Sequence, residues 1–166
     1  MAPDNTAKRM IEVALAEVGT IEGPKNNQTK YGAFTKANFL PWCGSFLMWC
    51  ASESKVKVPN CVSTKDGAAA FKKKNAWFDT PKKGDFVFFD FIDDDKTIIN
   101  HIGLVRKVSE KAILTIEGNT SPSGKERNGG QVMEKRRLLG ARSGIVGYGR
   151  PSYVNQENRA VNDTGN

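Results

Sequence analysis

Four residues of this chain have the types needed to cut an amide bond with a thiol: Cys43, His101, Glu117 and Asn119. In that chemistry a thiolate attacks the carbonyl, an imidazole moves the proton, and a polar group holds the imidazole in place. Cys43 stands in Pro41-Trp42-Cys43-Gly44-Ser45-Phe46-Leu47-Met48-Trp49-Cys50. Cys43, Phe46, Leu47 and Cys50 fall at i, i+3, i+4 and i+7, one face of a helix, and Pro41 favours a helix start just after it. A thiol in a first helical turn sits near the positive end of the helix dipole, a place that suits a thiolate. The plainer reading is a small apolar residue on a core helix. His101 is the only histidine and stands at the mouth of an apolar strand, after Asn100. Glu117 and Asn119 are two residues apart, so in extended chain they share a face, and from a neighbouring strand both would approach His101. A lone histidine is often structural, and Glu-x-Asn occurs in many turns, so each feature alone also fits a structural role.

The elements that must position these groups change character along the chain. Residues 6–18 read as an amphipathic helix, with Ala7, Met10, Ile11, Ala14, Leu15 and Val18 at helical spacing, a cap among Asp4, Asn5 and Thr6, and an end at Gly19. Residues 20–41 have no sustained period, and Gly23-Pro24, Asn26-Asn27 and Gly32 mark turns. An irregular stretch of this length leading into Cys43 is a candidate wall of a substrate cleft. A calcium loop would suit such a place, but Glu22 is its one acidic residue, and hard cations want several oxygen ligands. No metal site or cofactor is therefore expected. Helices follow at 42–52 and 64–74, and then the pattern turns to strands. Residues 85–91 (Asp-Phe-Val-Phe-Phe-Asp-Phe) are too apolar to face water on either side. Further strands are expected at 101–105, 112–117, 130–137 and 144–148. Asp93-Asp94-Asp95-Lys96 reads as a solvated hairpin tip rather than a metal site, since adjacent aspartates point in different directions. Helices first and strands afterwards predict an α+β fold, with N-terminal helices packed on a mainly antiparallel sheet.

The 166 residues fit one domain, 39% hydrophobic and 26% charged. Residues 1–153 read as the domain and 154–166, polar and without pattern, as a disordered tail or linker stub. No run approaches the roughly 18 apolar residues of a membrane helix, and the N-terminus lacks the basic-then-apolar pattern of a Sec-type export signal. The net charge is +7, with basic clusters at Lys72-Lys73-Lys74, Lys82-Lys83 and Lys135-Arg136-Arg137. That balance suits a polyanion, either nucleic acid or an anionic cell-wall polymer. Cys43, Cys50 and Cys61 are expected as reduced thiols. With no CxxC pair and one histidine, a zinc site is not expected.

In order along the chain, several segments resemble the CHAP family, the cysteine- and histidine-dependent amidohydrolases/peptidases, which are similar to a compact papain fold. Trp42-Cys43-Gly44-x-Phe46-x-x-Trp49-Cys50 resembles the family's nucleophile helix, and Pro81-x-x-Gly84-Asp85-x-Val87-Phe88-Phe89 its first long strand. His101-Ile102-Gly103-x-Val105 resembles the histidine strand, and Ile116-Glu117-Gly118-Asn119-Thr120 the third catalytic segment. Glu22-x-Pro24-x-x-Asn27-x-x-Lys30-Tyr31-Gly32 is similar to an approach loop common in phage-encoded members, and Gly147-Tyr148-Gly149-Arg150-Pro151-x-Tyr153 to the closing strand.

The resemblance implies a peptidoglycan hydrolase in the style of phage lysins, either an N-acetylmuramoyl-L-alanine amidase or an endopeptidase of the stem peptide or cross-bridge. It implies Cys43 as nucleophile, His101 as general base and then acid, Glu117 as the group orienting the imidazolium, and Asn119 as support for that array or a polariser of substrate. The backbone N–H of Cys43 would form half of an oxyanion hole. Tyr31 and Trp42 are the candidate substrate-binding residues, while Cys50 and Cys61 match no catalytic role. Such a protein would be made in a host cytoplasm and act on the wall through phage lysis machinery or as a virion component. Its partners would be peptidoglycan and, through the basic surface, anionic wall polymers, with no membrane insertion and no nucleic acid. Two other readings use the same residues. One is a papain-like peptidase or amidase acting on a non-wall substrate. The other is a basic, non-catalytic module for wall polymer or nucleic acid.

Overall fold

The computed structural model describes residues 1–92, 97–123 and 128–154. The expected hairpin tip at 93–96, and all but the first residue of the expected tail at 154–166, lie outside the described residues. Four helices precede six strands: α1 (Ala7–Ala16), α2 (Lys30–Phe34), α3 (Cys43–Glu53), α4 (Thr64–Lys73), β1 (Trp77–Phe78), β2 (Phe86–Phe89), β3 (His101–Val108), β4 (Ala112–Thr120), β5 (Gln131–Leu138) and β6 (Ile145–Gly149). The strands form one sheet in the order β1-β6-β2-β3-β4-β5, and every pairing is antiparallel. This is an α+β fold consistent with the compact papain-like arrangement. Two short elements were not foreseen: α2 inside the irregular stretch, and β1.

The apolar run at residues 85–91 yields a strand buried on both faces. Phe86 and Phe88 point to the helices, where they join Ile102, Leu104 and Ile116 of the sheet with Met10, Phe46, Leu47 and Phe71 of the helices. Val87 and Phe89 point the other way, into a second cluster with Val105, Ile113 and Tyr148. A strand covered on both sides loses the alternation of a half-buried one.

α1 starts where Thr6 accepts a hydrogen bond from the Arg9 amide, the side-chain cap expected at such a position. α3 is the central helix, and much of it is buried, from Cys43 through Leu47 and again at Cys50 and Ala51. Three glycines set how closely it packs. A Cβ at Gly44 would stand 1.9 Å from the Cys61 carbonyl oxygen, and one at Gly67 of α4 would stand 2.7 Å from the Cys61 sulfur. Cys61 is thus wedged between the two helices. On the sheet side, a Cβ at Gly118 of β4 would come within 2.7 Å of the Phe46 Cβ.

Gly44 is therefore a close-approach position, and adding one methyl there forces backbone to move. Gly44→Ala is expected to destabilise the fold by about 3 kcal/mol or more, the upper end for overpacking. Ser52→Ala, on the exposed side of the same helix, is expected to change stability by less than about 0.5 kcal/mol. Urea unfolding of both variants checks this, and equal midpoints for the two would show that α3 is not wedged against residue 61.

Candidate active site

Cys43 is the first residue of α3, and the preceding residue, Trp42, supplies no side-chain cap. The first-turn N–H groups of a helix have no intrahelical acceptor, so here they keep their donors without a competing side chain. Cys43 is 3% exposed.

His101 is the first residue of β3, paired with Phe89 of β2. It is fully buried, and its Nε2 lies 2.9 Å from the Glu117 Oε2. Gly103 makes that contact possible. A Cβ there would stand 2.7 Å from the Glu117 Cγ, so the absent side chain leaves the space in which the glutamate stem crosses from β4. The imidazole is sandwiched sideways as well, with Phe91 stacked at 5.4 Å and Phe89 tilted at 5.8 Å between ring centres. Nδ1 is buried with no hydrogen-bond partner. Buried polar atoms are rarely left in that condition, and the exceptions call for a reason. The ring also responds to the Cys43 thiol, although no hydrogen bond to Nδ1 is formed. Burial disfavours the charged imidazole, yet Cys43 and Glu117 together outweigh it and raise the His101 pKa to about 9.

Glu117 has no accessible surface, and an uncompensated carboxylate there would be strongly unfavourable. Compensation comes from a residue that the pattern of the sequence placed elsewhere. Arg137 of β5 donates through Nε to Oε1 at 2.9 Å and through Nη2 to Oε2 at 2.6 Å. The Thr115 hydroxyl also donates to Oε1. Burial pushes the Glu117 pKa up, but the bonds from Arg137 and His101 prevail and hold it down at about 2. An ionised Glu117 accepts, so the His101 Nε2 carries the proton in that contact. The guanidinium of Arg137 lies 5.3 Å from the Phe89 ring centre and 4.9 Å from that of Phe91, the same two rings that flank His101. The expectation that 135–137 form a basic surface cluster fails at Arg137, which is 7% exposed and turned inward. Nothing in the local sequence pattern marks Arg137 as inward-facing; its burial appears only in the alternating exposure of β5.

Asn119 does not join this array. The β4–β5 pairing shifts register between Glu117 and Thr120, and Asn119 has a φ of +56°. Its Oδ1 accepts from the Gly130 N–H at 3.1 Å, and its Nδ2 donates to Asn128 at 3.0 Å and to Asn27 at 3.5 Å. The premise that Glu117 and Asn119 share one extended face is corrected by this bulge. Asn119 ties the chain at 128–130 to the approach loop and has no hydrogen bond to His101.

Tyr31 and Trp42 are also displaced from their expected place. Both have zero accessible surface, so neither presents a face to substrate. They stack on each other at 5.4 Å, and Tyr31 also meets Phe46 and Trp49 edge-on. The Trp42 indole donates to Glu22 at 2.7 Å, and the Tyr31 hydroxyl donates to Glu17. These rings, candidates for substrate binding, are instead packing that fixes the start of α3. Glu22, the acidic residue of the approach loop, is occupied by this role.

Compared with known protein families, residues 35–119 match the CHAP domain, just over half of the 166 residues. This chain belongs to the CHAP family. Membership places it among hydrolases of the peptidoglycan amidase/peptidase type. No curated protein matches the chain. The CHAP match takes in Cys43, His101 and Glu117 but stops short of β5, so Arg137 lies outside it, although β5 pairs with β4 along most of its length. Two further CHAP-chain thiols, Cys50 and Cys61, are free and fully buried. Burial raises the pKa of Cys50 and pushes Cys61 up to about 12, which keeps both protonated and unreactive.

The linked groups give the fold a pH signature. His101, raised from 6.5 to about 9, contributes stability that is complete below 6.5 and lost as pH rises through 9. Glu117, lowered from 4.5 to about 2, contributes stability that is complete above 4.5 and lost as pH falls through 2. Urea unfolding across pH is expected to show both contributions complete between 4.5 and 6.5, with a decline toward 9 that His101→Gln flattens. An identical alkaline decline in that variant would refute the assignment. Arg137→Met, which strands the buried carboxylate, is expected to cost about 3–5 kcal/mol at neutral pH.

Proposed function

We propose that this protein is a lysin that cuts an amide bond of peptidoglycan, with Cys43 as nucleophile and His101 as its proton partner. The observation that carries this reading is the buried His101–Glu117 pair, whose imidazole keeps an unpartnered Nδ1 and responds to Cys43 at the first turn of α3. It brings a thiol, an imidazole and an ionised carboxylate together within a CHAP domain. The nearest alternative, a structural cysteine beside a structural histidine, leaves the unpartnered Nδ1 unexplained. A purely structural histidine is expected to satisfy both ring nitrogens.

In the proposed reaction His101 and Cys43 exchange a proton to give thiolate and imidazolium, a form that ionised Glu117 stabilises at Nε2. The Cys43 sulfur adds to the carbonyl carbon of the scissile amide, and the oxygen takes up the negative charge. The Cys43 backbone N–H, at the uncapped helix start, is one donor to that oxygen. Contributions of this kind lower a barrier by about 3 kcal/mol. Collapse of the adduct breaks the C–N bond, and His101 gives its proton to the departing amine. Water, deprotonated by His101, then cleaves the thioester to release the acid and restore the thiol. Glu117 and Arg137 touch no reacting atom and act as positioning residues. Asn119 holds the loops beside the site.

The bond is either that between N-acetylmuramic acid and L-alanine or one within the stem or cross-bridge peptide. The approach-loop pattern around Glu22–Gly32 supports a phage setting, with the protein made in the infected cell and acting on its wall during lysis or on a virion.

Mass spectrometry of digested peptidoglycan tests the reading. New amino termini on L-alanine with free glycan are expected from an amidase, and new termini on glycine or an internal stem residue from an endopeptidase. Cys43→Ala and His101→Ala are expected to fold and to lose at least about 10³-fold in rate. Glu117→Gln is expected to lose less than either. Digests that do not differ between wild type and Cys43→Ala would reduce Cys43 to a core residue.

A further inference from the structure

We propose that the end of the molecule remote from Cys43 carries a binding groove for a phosphodiester-bearing polyanion of the bacterial cell wall. The choice of a wall polymer rests on the wall-hydrolase reading above; the groove itself rests on the following geometry. Two depressions of about 850 and 870 Å³ share Lys82 and Lys83 as a common ridge. Lys8 and Arg150 line the first, and Arg106 and Lys107 the second. Against these six cations stands one lining carboxylate, Asp85, which is buried and held by Arg150 at 2.8 Å. Arg106 pairs with Glu134. Lys8, Lys82, Lys83 and Lys107 are exposed, and among the described residues they take part in no salt bridge.

Three further features fit an extended anion. α1 begins at the first depression, with Thr6 and Ala7 in its lining, and has no acidic residue in its first turn. Asp4, two residues ahead of the cap, is paired with Lys55, so it offsets the positive end of the dipole only in part. Lys82 and Lys83 precede β2, and Arg106 and Lys107 lie near the end of β3, whereas His101 begins that strand. Five to six residue steps of strand at about 3.3 Å each separate Arg106 and Lys107 from His101 by roughly 17–20 Å. A polymer held at the lysine ridge would thus leave the reacting end free to reach a neighbouring glycan. The linings also carry no exposed aromatic ring on which bases could stack, since Tyr153 donates its hydroxyl to the Gly84 carbonyl and is only partly exposed. Stacking platforms are a regular part of single-strand nucleic-acid sites, so the chemistry favours a sugar-phosphate or polyol-phosphate chain.

The test is co-sedimentation of the full chain, carrying Cys43→Ala to prevent digestion, with cell walls that keep their phosphodiester polymer and with walls stripped of it by hydrofluoric acid. Strong binding to the first and at least ten-fold weaker binding to the second is expected, with a steep loss as salt rises. Lys82→Glu/Lys83→Glu is expected to weaken binding to intact walls at least ten-fold. Lys73→Glu/Lys74→Glu, the same change of net charge at the end of α4, is expected to leave it within about two-fold. All four lysines are exposed, so folding is preserved. Equal losses from the two double variants, equal binding to stripped walls, or tighter capture of a single-stranded oligonucleotide of equal charge would each overturn the proposal. Cleavage of stripped peptidoglycan, measured with Cys43 intact, reports on the hydrolase reading separately. It is expected to be unchanged in Lys82→Glu/Lys83→Glu, and a loss there would place the ridge in the reaction and overturn its role as a remote binding groove.

Discussion

The carboxylate of Glu117, ionised with no contact to water, is the constraint on which the rest of the site depends. A buried charge is tolerated only when its partners are fixed. Arg137 supplies two donors, Thr115 a third and His101 a fourth. Each partner is held in turn: Arg137 and His101 lie against the same pair of rings, Phe89 and Phe91. The imidazole is therefore fixed in tautomer by an ion and in plane by packing. Its second nitrogen is left without a hydrogen-bond partner. Charge in this dry setting acts more strongly than it would in water, which is why two neighbours can raise the ring's pKa against the opposing effect of burial.

Absent side chains shape the site as much as present ones. Gly103 leaves the channel that Glu117 crosses to meet His101, and Gly118 lets Phe46 press onto β4 so that α3 starts beside the histidine strand. Gly44 lets the first turn of α3 settle on the backbone at Cys61. The His-x-Gly and Glu-Gly-Asn patterns thus have a steric basis: two glycines on opposite sides of the sheet admit a carboxylate on one and a helix on the other. Asn119, with its positive φ, ends the register of Glu117 and turns the chain toward Gly130 and Asn27.

What the sequence disclosed depended on how local the cause was. The helix at Cys43 and the doubly buried strand at Phe86–Phe89 follow from spacing and from apolar density, which are local. Glu117 beside His101 follows from strand order. Arg137 was out of reach because its register partner is Ile113, four residues back along β4 from the carboxylate it holds. Only the side-chain path over the far face joins them. Asn119 was misplaced because a bulge is invisible to a period-of-two reading. Tyr31 and Trp42 were read as surface because aromatic rings serve cores and binding sites alike, and their burial is set by Glu17 and Glu22, distant acceptors that satisfy their polar atoms.

Those same acceptors show how the irregular approach segment is joined to the reacting end. Glu22 accepts from the Trp42 indole through its side chain, while its own amide donates to the Gly130 carbonyl. The Gly130 amide in turn donates to Asn119, which reaches Asn27, and the Asn27 carbonyl accepts from the Phe39 amide. The network therefore runs from the residue before Cys43, through the loop after β4, and back to the chain that enters α3. A segment with no repeating hydrogen-bond pattern is held in one shape by discrete bonds, each tied to an element of the site. The approach segment is thus bonded to Trp42, the residue that precedes α3. The segment that looked like a flexible wall is instead part of what fixes the position of the thiol.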